Sequence, residues 1–565
     1  MPVTPRFSLA LVACFALAGC RPEPAAPTGQ DDPAIAAPAP ASASAPSIEG
    51  RVAAHYFGRQ WPKNFLSGFR REHVDADFRQ LAADGFDTVV LLVSWGDFQP
   101  VPDPCCTYDE RAFERLRFLL DRAEAHGLKV MLRLGYAWSF HPEAGDSGER
   151  QQLLMNRPAH REAYRRFLAR VSGEIAGHPG VVMAFMSWED QWLRRLDDSV
   201  RPDYDAYLAS QGITGAADAP LPGPTTDAAR FHGFWDWLVI EKLYSPALAQ
   251  FPNLSYEVRV DREPRYEAGP DGQPTITEWL AHDGMYRLPE GQPVTVYWAP
   301  FWGALNQGEQ LPAAQSLQLL GVMLDETQAK SGGRRLFVDQ FNFVDNTPGH
   351  ETNAVLRPDE IPAFLHRAVC VMKARGVAGY GLWTVRDYAE NPLHNPAFGY
   401  GLEGWQLERT DGGAGQALES LASGDFQLRL ADGDRLSQQV PPRHGRMPRT
   451  GDALSDRVCV EADVRAPAEI LARAGGESVR LAFGDTGIQR RCADLAPVPD
   501  EQGLAFSLQL ARGDLALRDV QLFDHVQYGG LYDLDGRPGP LLAPVQRMNR
   551  DFRAAATPAR CVESP

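Results

Sequence analysis

From Arg51 to about residue 400 the chain repeats one unit eight times: a short apolar run followed by a longer stretch with helical period. The runs are 51–57, 87–94, 128–135, 180–188, 254–260, 293–298, 335–341 and 378–384. Between them lie segments such as 109–126, where Phe113, Leu116, Leu119, Leu120 and Ala123 fall on one stripe. Thr107 and Glu110 have the spacing of a capping box before that helix, and Gly127 stands where a C-terminal cap belongs. Segments 160–177 and 358–375 follow the same plan. Apolar strands alternating with helices pair in parallel and bury both faces, so eight units predict an α/β fold, a (β/α)8 TIM barrel with long loops. A doubly wound open sheet is the structural rival, but no glycine-rich phosphate turn follows the first strand.

The ends of the chain read differently. Residues 1–19 form a signal peptide, with Arg6 as its basic region and Phe7 to Leu17 as an apolar core too short to span a bilayer as a permanent helix. Leu17-Ala18-Gly19-Cys20 resembles the lipobox of bacterial lipoproteins, which implies lipidation at Cys20; an ordinary cleaved signal is the alternative. Arg21 rather than Asp after the cysteine implies export to the outer membrane. The expectation is thus a lipid-anchored protein of the cell envelope. Residues 20–48 are a Pro/Ala/Ser-rich tether with no aromatic residue and nothing to bury.

A barrel domain is expected over 49–400. Near Gly401 the character changes: only one of the twelve tryptophans, Trp405, lies beyond it. Short strands without helical period follow (424–431, 457–466, 478–484, 504–511 and 515–523), which predicts a C-terminal β-sandwich over 401–565, its tail around 545–552 packing back on the barrel. The net charge of −17 argues against nucleic acid as a partner. In an oxidising compartment Cys459 and Cys492 are expected to bridge two sandwich strands, and Cys561 to reach Cys105 or Cys106. No CxxC, HExxH or clustered histidine pattern occurs, so neither a metal nor any other cofactor is expected.

Barrel sites form where strands end at their C-terminal side. Those ends offer Trp95 and Gln99 after the second run, and Arg133, Tyr136, Trp138 and His141 after the third. Trp188, Glu189 and Asp190 follow the fourth; Glu257, Arg259, Asp261 and Arg262 the fifth; Tyr297, Trp298 and Trp302 the sixth. The seventh adds Asp339, Gln340 and Asn342, and the eighth Trp383, Arg386 and Asp387. Aromatics interleaved with carboxyls and arginines suit a carbohydrate partner, since rings cover C–H faces and polar groups take hydroxyls. Each tryptophan taken singly is as compatible with packing.

Over roughly residues 51–400 the chain resembles the clan of retaining glycoside hydrolases built on β/α barrels, the cellulase-like and β-galactosidase-like superfamily. The second-run motif VVLLVSWGDFQP looks like that clan's strand ending in Trp and a carboxylate-Pro pair, with Gln99 where Glu is usual. The resemblance implies an acid/base at the end of the fourth strand and a nucleophile at the end of the seventh, with Tyr297 and Trp383 completing the site. The carboxyls depart from the pattern. Trp188-Glu189-Asp190 stands where Trp-Asn-Glu is common, and Gln340 occupies the usual nucleophile position with Asp339 before it. Sliding one residue restores an intact pair, Glu189 and Asp339; Asp190 and Glu257 are reserve carboxyls.

Strand parity favours Glu189. Ser255, Glu257 and Arg259 alternate with apolar residues, and Ser187 and Glu189 share a face, so each set is expected in the lumen. For the seventh run both faces are apolar up to Asp339, and parity does not decide. Trp95, Arg133, Tyr136, Trp138, Arg259, Tyr297, Trp302, Gln340 and Trp383 are the expected substrate contacts. The expected reaction is hydrolysis of a glycosidic bond in a polysaccharide or oligosaccharide. The rival is a catalytically inactive carbohydrate-binding lipoprotein assisting surface-polysaccharide export or retention.

Overall fold

The computed structural model describes residues 46–565 except 59–64, 103, 136–146, 187–195, 214–218, 224, 258–264, 269–273, 279–282, 290, 300–307, 344–353, 390, 413–416, 441–456, 497–502, 524–525, 528, 555–557, 559–560 and 562–565. The signal, the tether and Cys20 therefore lie outside the described residues. The eight apolar runs form β1 (Arg51–Tyr56), β2 (Thr88–Leu92), β3 (Lys129–Leu134), β4 (Val181–Met186), β5 (Leu254–Tyr256), β6 (Val294–Trp298), β7 (Leu336–Phe341) and β8 (Gly379–Leu382). Parallel ladders join β1 through β5, β6 through β8, and β8 back to β1.

The seam between β5 and β6 closes the ring. Among the described residues one backbone bridge, Glu257 with Thr295, spans it. Hydroxyls add to it: the Thr295 N–H donates to Ser255 Oγ at 3.1 Å, and Thr295 Oγ1 donates to the Tyr256 carbonyl at 3.0 Å. The sheet is a closed (β/α)8 barrel.

Period-two alternation sorts its side chains. Val52, Val89, Leu91, Val130, Leu132, Val294 and Val296 join the large core shared with the helices. Ala53, Val90, Met131, Met183, Phe185 and Phe337 form a second, small core inside the cylinder, together with Ile48 just before β1.

The surrounding helices include α1 (Arg71–Ala83), α2 (Glu110–Ala125), α3 (Pro158–Ile175), α4 (Ala228–Val239), α5 (Ala313–Ser331) and α6 (Ile361–Ala374). The cap of α2 differs from expectation. Asp109, directly before the helix and extended, accepts the Arg111 N–H, so Thr107 is not the cap. Gly127, at φ +71°, follows the helix end as its sequence position suggested. No described helix is long and apolar enough to cross a membrane.

After β8 the chain leaves the barrel. Residues Tyr388–Ala389 pair antiparallel with Val526–Gln527, so the outgoing and returning strands form a two-stranded neck. Beyond the return comes α7 (Leu542–Arg553), which packs on the barrel. Asn549 accepts the Tyr380 hydroxyl at 2.6 Å and donates to the Asp84 carbonyl at the end of α1 at 3.1 Å. Lys373 at the end of α6 donates to the Phe552 carbonyl at 2.9 Å. Helix α7 thus fills the place between α6 and α1 that the last barrel helix must take, and the β domain is an insertion between β8 and α7. Leu393 and Phe398, expected in the barrel, belong to the β-domain core.

That domain has β9 (Gln406–Glu408), β10 (Leu418–Ser420), β11 (Phe426–Leu430), β12 (Arg435–Val440), β13 (Arg457–Ala474), β14 (Glu477–Phe483), β15 (Gly487–Asp494) and β16 (Leu504–Phe523). The runs 504–511 and 515–523 are two halves of one strand. One layer contains β14, the second half of β13, the first half of β16, β12 and β9; the other contains β15 and the remaining halves with β11 and β10. A single sheet folded over along its two long strands makes the sandwich. At the corner, Gly513 has φ +105°, and a Cβ there would lie 2.4 Å from the Pro467 carbonyl, so only glycine fits.

Cys459 and Cys492 face each other across β13 and β15 and are bonded. Cys561 bonds Cys370 on α6, and Cys105 bonds Cys106, correcting the expected link from the tail to the 105–106 pair. The correction follows from the position of α7, which carries the tail to the α6 side. Barrel and insertion meet through buried arginines: Arg70 donates to the Phe426 and Arg518 carbonyls at 3.1 and 2.8 Å, while Arg518 reaches Glu72 and Glu461.

Candidate functional site

At the C-terminal ends of β3, β5 and β7 one guanidinium gathers two carboxylates. Arg133 on β3 donates through Nη2 to Asp339 Oδ2 at 2.7 Å and through Nη1 to Glu257 Oε2 at 3.1 Å. Gln340 Nε2 donates to the other oxygen of Glu257, also at 3.1 Å. Asp339 and Glu257 are fully buried, and Arg133 and Gln340 are 2% exposed. Parity explains why these residues meet. Arg133 follows inward Met131, and Glu257 follows inward Ser255. The Arg133 guanidinium also lies over the inward Phe185 ring, 4.8 Å from its centroid.

Strand β7 needs a second device. Its register with both neighbours slips by one residue after Val338, where Gln340 rather than Asp339 faces Tyr297 and Phe341 faces Leu382. This β-bulge turns Asp339 and Gln340 toward the lumen together, then returns Phe341 to the outer side, where it stacks with Trp298 and Phe364. The uncertainty over which of the two residues faces inward is thereby removed: both do.

His55 on β1 sits beneath this bulge. Its Nε2 donates to the Asp339 carbonyl, which fixes the neutral tautomer. Burial, then the charge of Arg133, pushes its pKa down to about 3, against the opposing effect of the carbonyl bond. Its ring meets Trp383 edge-on at 5.2 Å. Gly381 on β8 makes the close approach possible: a Cβ there would lie 2.6 Å from the Asp339 carbonyl and 3.2 Å from His55 Nε2. The sequence reading missed His55, although a lone polar residue two positions beyond inward Ala53 carried the signal.

The remaining expected contacts separate. Trp383, half-buried, also packs against Phe57 and Tyr388 at 5.1 and 5.9 Å. Tyr297, 5% exposed, lies between outward Val296 and Trp298 and so faces the lumen beside Gln340. Trp95 does not offer a platform. It is fully buried, edge-on to Tyr164 at 5.1 Å, and its indole N–H donates to Gln99 at 2.8 Å. Glu189, Asp190, Tyr136, Trp138, Arg259 and Trp302 lie outside the described residues, as do Trp188, His141, Asp261 and Arg262. Among the described residues Glu72, His73 and Glu461 have the spacing of metal ligands, but both carboxylates receive Arg518.

Chemically, the centre combines an anion anchored by a guanidinium, an amide donor and an aromatic at the rim. A nearby cation favours the ionised form of a buried carboxyl, the form a nucleophile or an electrostatic stabiliser needs.

No family model and no curated protein matches the sequence. Among solved structures the chain is similar to the exo-β-1,4-mannosidase Op5Man5 from Opitutaceae bacterium strain TAV5, at 17% identity over 61% of this chain and 53% of that one, with a TM-score of 0.39. It is similar to the endo-1,4-β-mannanase from Rhizomucor miehei at 9% identity over 59% and 86%, TM-score 0.39. A third is GH5_18 from Bifidobacterium longum subsp. longum, at 15% identity over 61% and 71%, TM-score 0.38. The chain thus spans about half the length of the Op5Man5 chain. Likeness at these values bears on no residue of the site.

Proposed function

We propose that the barrel is a glycoside hydrolase that cleaves a polysaccharide or oligosaccharide by double displacement. The observation that carries this reading is the Asp339–Arg133 ion pair, turned into the lumen by the bulge at the C-terminal end of β7. Asp339, kept ionised by Arg133, attacks the anomeric carbon while Glu189 protonates the departing glycosidic oxygen. Glu189 then takes a proton from water, whose oxygen displaces Asp339 and frees the sugar. Support for Glu189 comes from β4, where Phe185 faces inward and residues of the same parity share that face. A gap of about 5–5.5 Å between the two carboxyls is what retention requires, against roughly 6.5–9.5 Å for inversion.

The test is reducing-end release from a panel of bacterial exopolysaccharides and β-linked glycans, with binding measured in parallel. Release that falls by about 10²–10⁴ in Glu189→Gln supports the assignment, as does abolition of release in Asp339→Asn. A second reading, non-catalytic carbohydrate binding, draws on the engagement of Gln340, at the usual nucleophile position, with Glu257. Binding without release, unchanged by Glu189→Gln, would select it. We also propose, on the sequence alone, a lipid anchor at Cys20 and an envelope location; labelling with a radioactive fatty acid that survives Cys20→Ala would rule out the anchor.

A further inference from the structure

The glutamine at 340 reads from sequence as a lost carboxyl. Its surroundings give it another meaning. Among the described residues, Gln340 Nε2 donates to Oε1 of Glu257 and Arg133 Nη1 to its Oε2. With Glu257 held in this way, the second arm of Arg133 meets Asp339 at 2.7 Å, the length of a charge-assisted bond. A carboxylate at 340 would face Glu257 at hydrogen-bond distance with no proton between them. It would also add a carboxylate to a site where Asp339 and Glu257 already have no exposure. Like charges so placed cannot all ionise.

We infer that Gln340, Glu257 and Arg133 form a positioning frame for Asp339, in which the amide at 340 is required by the carboxylate at 257. The frame rests on the proposed hydrolase reading for its catalytic meaning, but its electrostatics are independent of that reading. Glu257 is a positioning residue: it orients Arg133, and Arg133 orients and ionises Asp339. The bulge lets two consecutive side chains enter the lumen, one as amide donor to the frame and one as its anion. The charged or titratable groups facing the frame among the described residues are His55 from β1, Arg133 from β3, Glu257 after β5, Tyr297 from β6 and Asp339 from β7. Burial holds His55 neutral above pH 4.

Three full-length variants test the frame: Gln340→Glu, Glu257→Gln, and the two combined, which exchanges amide and carboxylate. Thermal unfolding is followed between pH 4 and pH 8. The single Gln340→Glu change is expected to lower Tm strongly at pH 8 and weakly at pH 4, where protonation relieves the repulsion. The exchanged pair is expected to recover most of the loss at pH 8. A loss that is equal at both pH values, or that the exchange fails to rescue, overturns the frame, since a packing defect alone would behave that way.

If the wild-type protein releases sugar, a second readout applies. The acidic limb of its pH–activity profile should move upward by about one unit in Gln340→Glu and return in the exchanged pair. A Gln340→Glu variant with higher kcat than wild type would mean that 340 is a vacated nucleophile position, and the inference fails. If the wild-type protein releases nothing, the hydrolase reading fails, and the unfolding series still decides the frame.

Discussion

Replacing Arg133 by methionine removes a cation shared by two buried carboxylates while keeping much of the side-chain volume. Breaking a buried ion pair by deleting one partner costs about 3–5 kcal/mol, because the charge left behind has lost its compensation. Here two are left, at 2.7 and 3.1 Å from the deleted guanidinium, both fully buried. At roughly 2 cal/mol/K of unfolding entropy per residue over a barrel of this size, that cost is a Tm loss of about 4–7 °C. The sign of its pH dependence follows from the carboxyls. Without the cation, burial and mutual repulsion raise their folded-state affinity for protons above that of the unfolded chain. The deficit is therefore nearly absent below about pH 4, where both states are protonated, and grows as pH rises toward 8. Differential scanning calorimetry at pH 4.5, 6 and 8 reads it directly. A variant within 1 °C of wild type at pH 8, or with the same deficit at all three values, would refute the picture of an ionic centre. Arg133→Lys should recover only part of the loss, because an ammonium cannot hold two carboxylates in a planar fork.

Three further outcomes are expected. His55 has a folded pKa of about 3 against 6.5 in the unfolded chain, so it contributes stability above pH 6.5 that is lost as pH falls toward 3; His55→Gln should flatten the stability–pH slope across that window by up to about 1.4 kcal/mol per unit, and an unchanged slope would contradict the burial of a neutral imidazole. Gly381→Ala places a Cβ against the Asp339 carbonyl and should cost about 1–3 kcal/mol in urea unfolding, whereas a neutral result would show that the bulge can yield. A chain ended near residue 400 loses α7 and should be insoluble or protease-sensitive; one in which a two-residue turn joins Ala389 to Val526 keeps α7 and should resist limited proteolysis better.

The eight strands were legible because strands buried on both faces leave continuous apolar runs, and the turn and cap residues between them set the period. Glu257 and Arg133 could be assigned inward by counting in twos from Ser255 and Met131. The bulge at Asp339 could not be read, since 335–338 are apolar on both faces after the arginine and a one-residue slip leaves no mark in composition. The return of the tail around 545–552 to the barrel was legible, but not that α7 is the barrel's own last helix. More than a hundred residues separate it from β8, and contacts such as those of Asn549 with Tyr380 and Asp84 and of Lys373 with the Phe552 carbonyl reveal that the two belong to one domain. Trp95 illustrates the opposite error: its position after β2 suggested the rim, but Tyr164 and Gln99 hold it in the wall.

The insertion between β8 and α7 also sets a timetable. As the polypeptide emerges from the ribosome, the eight strands of the cylinder and helices α1 to α6 are made before the sandwich, yet α7, the last helix to cover the staves, comes only afterwards. The sandwich is complete before the barrel has its last helix, so it is free to reach its native state while the cylinder still has an open flank between α6 and α1. The Cys370–Cys561 crosslink, which spans that flank, can form only when synthesis has gone past α7.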